Sequence, residues 1–108
     1  MRRSGKVYYK NMFAGIVWQD DEGYGFAYDS EYVDGKNPVV SLTLPLRKEP
    51  YLDSTMIPFF DGLIPEGWLL NITIKNWKLD NRDRMGLLLR ACKDCIGAIS
   101  IEPENEEV

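Results

Sequence analysis

The residues with the greatest potential for chemistry are two cysteines in a Cys-x-x-Cys spacing, Cys92 and Cys95. Such a pair can bind zinc, but a tetrahedral site needs four soft ligands, and the chain has no other cysteine and no histidine. A redox-active pair needs a helix N-terminus to stabilise its thiolate, whereas this pair closes a predicted helix and precedes a predicted strand. We therefore predict that Cys92 belongs to the core and that the pair holds no metal.

General acid–base catalysis is also poorly supported. Without histidine the usual base near neutral pH is missing, and the carboxylates fall mainly in predicted turns and in the Glu-rich tail. The glycines of Gly23-Tyr24-Gly25 lie in a predicted hairpin, with no helix N-terminus after them to receive a phosphate. We predict that the chain is not an enzyme and that it uses no cofactor.

Length and composition predict one domain with a hydrophobic core. The chain has 108 residues, of which 44% are hydrophobic, and it is too short for a bilobal enzyme. Seventeen acidic against thirteen basic residues give a net charge of −4, which disfavours direct contact with nucleic acid. No apolar run is long enough to span a membrane, and the N-terminus lacks the apolar region of a signal peptide. The predicted location is the cytoplasm.

The first residues predict a β-hairpin. The segments Val7–Tyr9 and Met12–Trp18 flank a two-residue turn. Strict alternation along the second segment would place Phe13 and Val17 on one face and Ala14 on the other.

Further strands are predicted before residue 58. Tyr24–Tyr28 alternates aromatic with small residues and predicts a third strand. The residues 29–38 read as a polar connection, Val39–Leu44 as a short strand closed by proline, and residues 47–55 as a loop.

The second half predicts helices. Pro65 and Glu66 are typical of a first helical turn, and an apolar stripe follows through Leu70, Ile74 and Trp77. A further helix is predicted from residue 80 or 81, and its apolar stripe comprises Met85, Leu88, Leu89 and Cys92. Residues 97–101 predict a strand, and residues 101–108 a frayed acidic tail.

The predicted fold class follows from these elements. It is α+β, a small antiparallel sheet in a partly rolled meander, with two to three packed helices. Residues 1–108 form a single domain in this prediction.

Three segments have a composition too particular for a generic core. They are Val40-Ser41-Leu42-Thr43-Leu44-Pro45-Leu46, residues 59–68 with the sequence Phe-Phe-Asp-Gly-Leu-Ile-Pro-Glu-Gly-Trp, and residues 92–99 with Cys-Lys-Asp-Cys-Ile-Gly-Ala-Ile. Their order and spacing resemble the N-terminal subdomain of the HipA family, the serine/threonine kinase toxins of bacterial toxin–antitoxin modules. The resemblance covers nearly the whole chain, and it suggests the HipS-type split form, a small protein separate from its kinase.

The resemblance implies structural roles for the residues of the shared motif, which are Phe59, Phe60, Asp61, Leu63, Asp94 and Gly97. Phe59 and Phe60 are expected to anchor the first helical turn in the core, together with Leu63 and Ile64. Asp94 is expected to cap the turn before the last strand.

A candidate partner-binding surface is formed by Pro65, Glu66, Gly67 and Trp68. Trp68 lies two residues before Leu70, about 200° away around the helix and off the buried stripe. Two interpretations remain open. Trp68 anchors an interface with a partner protein, or it covers the edge of the sheet as a lid.

The resemblance implies two functions. In the first, the chain is a non-catalytic, antitoxin-like partner that docks on a separately encoded HipA-like kinase and modulates it. In the second, it is the N-terminal structural subdomain of a complete HipA-like kinase, with no activity of its own. In either case a DNA-binding antitoxin could join the complex without contact between this chain and nucleic acid.

Overall fold

A computed structural model describes residues 3–64, 84–91 and 98–104 of the chain. In chain order they contain β1 (Arg3–Tyr9), β2 (Met12–Asp20), β3 (Gly23–Tyr28), α1 (Ser30–Asp34), β4 (Tyr51–Asp53), α2 (Pro58–Asp61), α3 (Arg84–Ala91) and β5 (Ile99–Pro103). The predicted α+β class is confirmed. None of the described helices is long and apolar enough to cross a membrane.

The five strands form one sheet in the order β4-β3-β2-β1-β5, with every neighbouring pair antiparallel. The β1–β2 turn is made by Lys10 and Asn11, whose φ angles of 49° and 71° are those of a type I′ turn. This turn twists in the same sense as the strands, and the predicted hairpin is confirmed. β5 then adds beside β1, with Val7 opposite Ile101, so both ends of the described chain meet in the sheet.

A β-bulge changes which residues of β2 face the core. Val7 lies opposite Gly15 and Tyr8 opposite Phe13, so Ala14 is an extra residue on β2. A bulge interrupts strict alternation, and Ala14 and Val17 are both fully buried while Phe13 is exposed. The predicted grouping of Phe13 with Val17, and of Ala14 on the opposite face, is therefore wrong.

The connection between β3 and β4 differs from its prediction in three places. The polar segment 29–38 contains the short helix α1, which buries Tyr32. The predicted strand Val39–Leu44 is irregular, and β4 lies instead within the predicted loop 47–55. The reason is tertiary: Tyr51 stacks on Phe26 of β3 at 6.5 Å between ring centroids, which places the later segment, not the earlier one, against the sheet.

The core lies between one face of the sheet and the described helices. Phe26 of β3 and Phe60 of α2 are fully buried, with their ring centroids 5.1 Å apart. In the part of the chain that the structure describes, the buried hydrophobic residues are Val7, Ala14, Val17, Phe26, Tyr28, Tyr32, Val40, Leu44, Met56, Ile57, Phe60, Ile64, Met85, Leu87, Leu88, Leu89, Ile99 and Ile101.

Helix α3 confirms the predicted apolar stripe in its described part. Met85 and Leu88 are fully buried and Leu89 nearly so. Leu87 is fully buried as well, so the buried surface of α3 is wider than the predicted stripe. The helix comes so close to β1 that a Cβ atom at Gly5 would lie 2.6 Å from Cδ2 of Leu89. A larger residue at position 5 would therefore displace the Leu89 side chain.

The strand β5 extends into the predicted acidic tail. It runs to Pro103, and the backbone N–H of Glu104 donates to the carbonyl of Ser4 at 2.9 Å. The Ser4 hydroxyl donates in turn to Oε1 of Glu104 at 2.5 Å. The fraying predicted for residues 101–108 is therefore wrong for 101–104, while residues 105–108 lie outside the described part.

Candidate interaction surface

The predicted partner-binding residues, Pro65, Glu66, Gly67 and Trp68, lie outside the described residues. The same holds for Asp94 and Gly97 of the motif and for the cysteines of the Cys-x-x-Cys spacing. Their roles stay predictions. In the ranges 3–64, 84–91 and 98–104, no group of three or more Cys, Asp or Glu side chains could hold a metal ion.

The rest of the motif forms the one-turn helix α2 and the residues that follow it. Pro58 occupies the first turn, where its missing N–H costs nothing. Phe60 and Ile64 are buried, whereas Phe59 and Leu63 are only partly buried against the core. One turn of helix therefore divides two adjacent phenylalanines between the core and the surface.

Asp61 connects α2 to α3 through an ion pair. Nε of Arg84 donates to Oδ1 of Asp61 across 2.6 Å. Both side chains are partly exposed, at 29% and 44%, and exposed pairs contribute little to stability. The pair spans 23 positions of the sequence and links α2 to the first described residue of α3.

A groove opens between β4, α2 and the irregular segment before β4. It has a volume of about 320 Å³, and we call it the apolar groove. Its apolar lining consists of Leu44, Tyr51, Leu52, Ile57, Pro58 and Phe59. The exposed edge of Phe59 thus faces a concave surface that a partner's side chain could fill.

Two leucines beside this groove are unusually exposed. Leu42 is 92% and Leu52 72% accessible to solvent, more than any other large hydrophobic residue of the described chain. Thr43, the residue after Leu42, lines the apolar groove, and Leu52 lines it directly. Exposed apolar residues grouped at a groove are typical of a protein interaction site.

Buried tyrosine hydroxyls hold the segment that presents Leu42. The Tyr28 hydroxyl donates to the carbonyl of Leu44 and accepts the N–H of Val40 at 3.1 Å. The Tyr32 hydroxyl donates to the carbonyl of Pro38 at 2.6 Å. These bonds replace the ladder that a strand would have made, so the segment keeps a defined shape without a strand partner.

The electrostatics of the two tyrosines support this role. Burial raises the pKa of the Tyr28 hydroxyl, an effect that the bond from the Val40 N–H partly offsets. Burial also raises the pKa of the Tyr32 hydroxyl. Both groups therefore keep their protons, and act as donors to the backbone carbonyls, to a higher pH than an exposed tyrosine would.

The comparison with protein families decides the affiliation. Residues 5–102 match the model of the HipA N-terminal domain. The chain belongs to this family. The structure is also similar to a solved structure described as the N-terminal domain of HipA toxin, with a TM-score of 0.73 and 27% sequence identity over 97% of this chain and 95% of that one. The resemblance predicted from the three segments is confirmed.

Two relatives show this HipA N-terminal domain in chains of different length. An uncharacterized protein of Haemophilus influenzae is 32% identical over 104 residues, which cover 96% of this chain and 95% of the relative. The protein named "Putative kinase Y4mE" of Sinorhizobium fredii is 33% identical over 103 residues, which cover 94% of this chain. The chain spans only 24% of that second relative, so the match leaves out most of its length.

Sequence reasoning missed the exposed surface of this HipA N-terminal domain. It treated the segment around Leu42 as a strand and the segment around Leu52 as a loop. One signal was available: proline at positions 38 and 45 restricts a strand to the edge of a sheet. No local signal identified the tyrosine hydroxyls as the partners of that segment.

Proposed function

We propose that this HipA N-terminal domain is a non-catalytic, antitoxin-like partner that docks on a separately encoded HipA-like serine/threonine kinase and modulates its activity. The observation that carries the proposal is the pair of relatives. The domain accounts for 95% of one bacterial protein and for 24% of another that is named as a kinase. A domain that occurs both nearly alone and as a quarter of a kinase-named chain can occupy the same position beside the kinase part in both arrangements.

The chemistry of the chain supports binding over catalysis. The sequence contains no histidine, and the family match concerns the N-terminal domain, not the catalytic kinase part. The described surface offers instead two exposed leucines and an apolar groove. Because the proposed partner is a kinase and uses ATP, we expect the complex to form in the cytoplasm.

The proposed docking surface has two parts. The first is Pro65–Trp68, in which Trp68 serves as the aromatic anchor. The second is the apolar groove, whose Phe59 belongs to the same motif and precedes Pro65 by six positions. A DNA-binding antitoxin would join through the complex, since the net charge of −4 disfavours direct contact with DNA.

The alternative is that the chain is the N-terminal structural subdomain of a complete HipA-like kinase. The match to 24% of the kinase-named relative favours it. In that arrangement the same surface would face the remainder of its own polypeptide. The reading frame after the Val108 codon distinguishes the two: a separate kinase frame supports the partner, and a continuous frame supports the subdomain.

The decisive experiment is co-expression of the tagged chain with a separately encoded HipA-like kinase core. We expect a stable complex, with its stoichiometry measured by light scattering after size-exclusion chromatography. Trp68→Ala should weaken that complex at least about tenfold, which corresponds to ~1.4 kcal/mol. The melting temperature of the free chain should change little.

Two results would overturn the proposal. The first is the absence of any complex at tens of micromolar protein. The second is saturable binding of Mg-ATP to the isolated chain at micromolar affinity in a calorimetric titration, which would contradict the non-catalytic role. If the complex forms but Trp68→Ala binds as tightly as the parent, only the assignment of the Trp68 anchor is wrong.

A further inference from the structure

A second groove lies beside β4. It has a volume of about 300 Å³, and its described lining includes Trp18, Leu52 and the carboxylates Asp20, Glu22 and Asp53. We call it the acid-rimmed groove. Leu52 and Asp53 line the apolar groove as well, so the two grooves meet at β4.

The two grooves meet at the edge strand β4, where they share Leu52 and Asp53, and extend from there along opposite faces of the sheet. Trp18, Gly25 and Leu52 are cross-strand neighbours in one row, and their side chains share a face. The Trp18 ring lies so close to β3 that a Cβ atom at Gly25 would be 2.3 Å from Trp18 Cζ2. Tyr51 belongs to the next row, opposite Phe26, and faces the core side with the apolar groove.

β4 is an edge strand between these grooves. Within the described residues it pairs only with β3, and it ends the sheet. An edge strand presents N–H and C=O groups that an extended segment of another chain can pair with, while alternate side chains of that segment enter opposite faces. Because β4 has three residues, such pairing supplies few hydrogen bonds, and the two grooves must supply the selectivity.

The charges around the two grooves differ. Asp20 and Glu22 line the acid-rimmed groove alone, whereas Asp53 lies two positions from Tyr51, on the same face of β4, and lines both grooves. Three carboxylates line the acid-rimmed groove, and none of its described lining residues is basic. Two of them are held in place by turns: Oδ1 of Asp20 accepts the N–H of Glu22 at 2.9 Å, and Oδ1 of Asp53 accepts the N–H of Thr55 at 3.2 Å. On the other face the guanidinium of Arg47 lies 3.7 Å from the ring centroid of Tyr51.

We propose that the edge of β4 binds an extended segment of a partner protein in which apolar and basic side chains alternate. The lysine or arginine side chains enter the acid-rimmed groove, and the apolar side chains enter the apolar groove. Arg47 disfavours the reverse orientation, because it would bring a second cation to the face of Tyr51. The apolar groove is also the second part of the proposed kinase docking surface, but the test of this site uses no kinase, so its result is distinct from that of the proposed function.

The probe is an acetylated, amidated octapeptide of alternating leucine and arginine, titrated into the full 15N-labelled chain and followed by NMR. We expect saturable shifts at the amides of Gly23 and Leu52 and at the Trp18 indole N–H, with a dissociation constant in the range of about 10–500 μM. The matched control peptide has citrulline in place of arginine, which keeps the shape and removes the charge. It should bind at least about fivefold more weakly.

Two variants test the groove itself. Glu22→Gln combined with Asp53→Asn should weaken the arginine peptide at least about fivefold, because each change removes one charge. The amide at position 53 retains an Oδ1 that can accept the Thr55 N–H, so the turn is preserved. Glu31→Gln together with Asp34→Asn removes two charges from α1 and should change the dissociation constant less than about twofold.

Four outcomes would overturn the proposal. They are the absence of saturable shifts, shifts located away from the residues that line the two grooves, equal affinity for the citrulline peptide, and equal affinity of the groove variants. Concentration-dependent shifts at Leu52 without peptide would also contradict it, because they would assign the edge to a second copy of this chain. Amide spectra of each variant without peptide verify that it is folded.

Discussion

Phe26 and Leu52 belong to neighbouring antiparallel strands, yet their environments are opposite. Phe26 is fully buried, with Phe60 of α2 packed against it on one face of the sheet. Leu52, one strand farther out, is 72% exposed and lies between two grooves. The difference teaches that this sheet separates two tasks. The interior at Phe26 stabilises the fold, whereas the edge at Leu52 contributes a surface that the isolated chain leaves open.

The free energies expected on the two sides differ in the same way. A buried Phe contributes roughly 1.5–3 kcal/mol through the removal of apolar area from water, with packing in addition. A leucine that stays exposed contributes almost nothing to stability. Substitutions on the two sides therefore test whether core and edge are energetically separate.

The largest effect should come from Phe60. Phe60→Ala leaves a cavity against Phe26 and should reduce the free energy of unfolding by about 3–5 kcal/mol. Urea denaturation followed by tryptophan fluorescence measures the change. A loss below about 1 kcal/mol would mean that α2 is not part of the cooperative core.

The next effect concerns the segment that presents Leu42. Tyr28→Phe removes the hydroxyl that pairs with Val40 and Leu44 and leaves two backbone groups without that partner, at a cost of about 1–3 kcal/mol. The matched control is Tyr51→Phe, which loses one exposed bond to the Pro45 carbonyl. Since water replaces that partner, the control should lose no more than about 0.5 kcal/mol. Equal losses would show that the segment is not held by its buried tyrosine.

The same hydroxyl predicts a dependence on alkaline pH. Burial raises the pKa of Tyr28 above its ordinary value of 10.0, so the folded chain retains a proton that the unfolded chain releases. Stability should therefore be unaffected by this group below pH 10 and should fall as the pH rises through the folded pKa. Tyr28→Phe should make the decline above pH 10 shallower than in the parent. An identical slope would contradict the assignment.

A smaller effect is expected for the ion pair between α2 and α3. Asp61→Asn keeps the shape of the side chain and removes the charge that Arg84 pairs with. Since both groups are partly exposed, the loss should be below about 1 kcal/mol and should shrink with added salt. Thermal denaturation at low and high salt provides the measurement. A large loss that salt does not change would indicate a buried pair instead.

The smallest effect should come from the edge itself. Leu52→Ala should change the free energy of unfolding by less than about 0.5 kcal/mol, because the side chain is exposed. The same variant should weaken the alternating leucine–arginine peptide measurably in the NMR titration. A destabilisation comparable to that of Phe60→Ala would abolish the distinction between core and edge.

Several elements were predictable because their signals are local. These signals depend only on residues a few positions apart, as in the two-residue turn at Lys10-Asn11 and the helical spacing of Met85, Leu88 and Leu89. The family affiliation was predictable for a related reason, since the residues of the three motif segments, and the order and spacing of those segments, are read directly from the sequence. Phe60 of that motif occupies the core, although the sequence did not distinguish it from Phe59.

Other features depend on contacts between distant residues. The bulge at Ala14 arises from the register between β1 and β2, and no local pattern of β2 specifies it. The segment around Leu42 has the composition of a strand, but its hydrogen bonds go to the side chain of Tyr28, 12 to 16 positions earlier. The position of β4 likewise depends on the packing of Tyr51 against Phe26.

The sequence by itself determined the class of the fold, the hairpin, the apolar face of α3 and the family, because periodicity, turn chemistry and motif spacing are properties of the chain. Only the tertiary structure decided which segment forms the edge strand beside β3 and which leucines stay exposed. The physical reason is that short apolar segments of similar composition compete for the same sheet edge. The outcome depends on which of them can satisfy its backbone hydrogen bonds and pack on Phe26 at the same time.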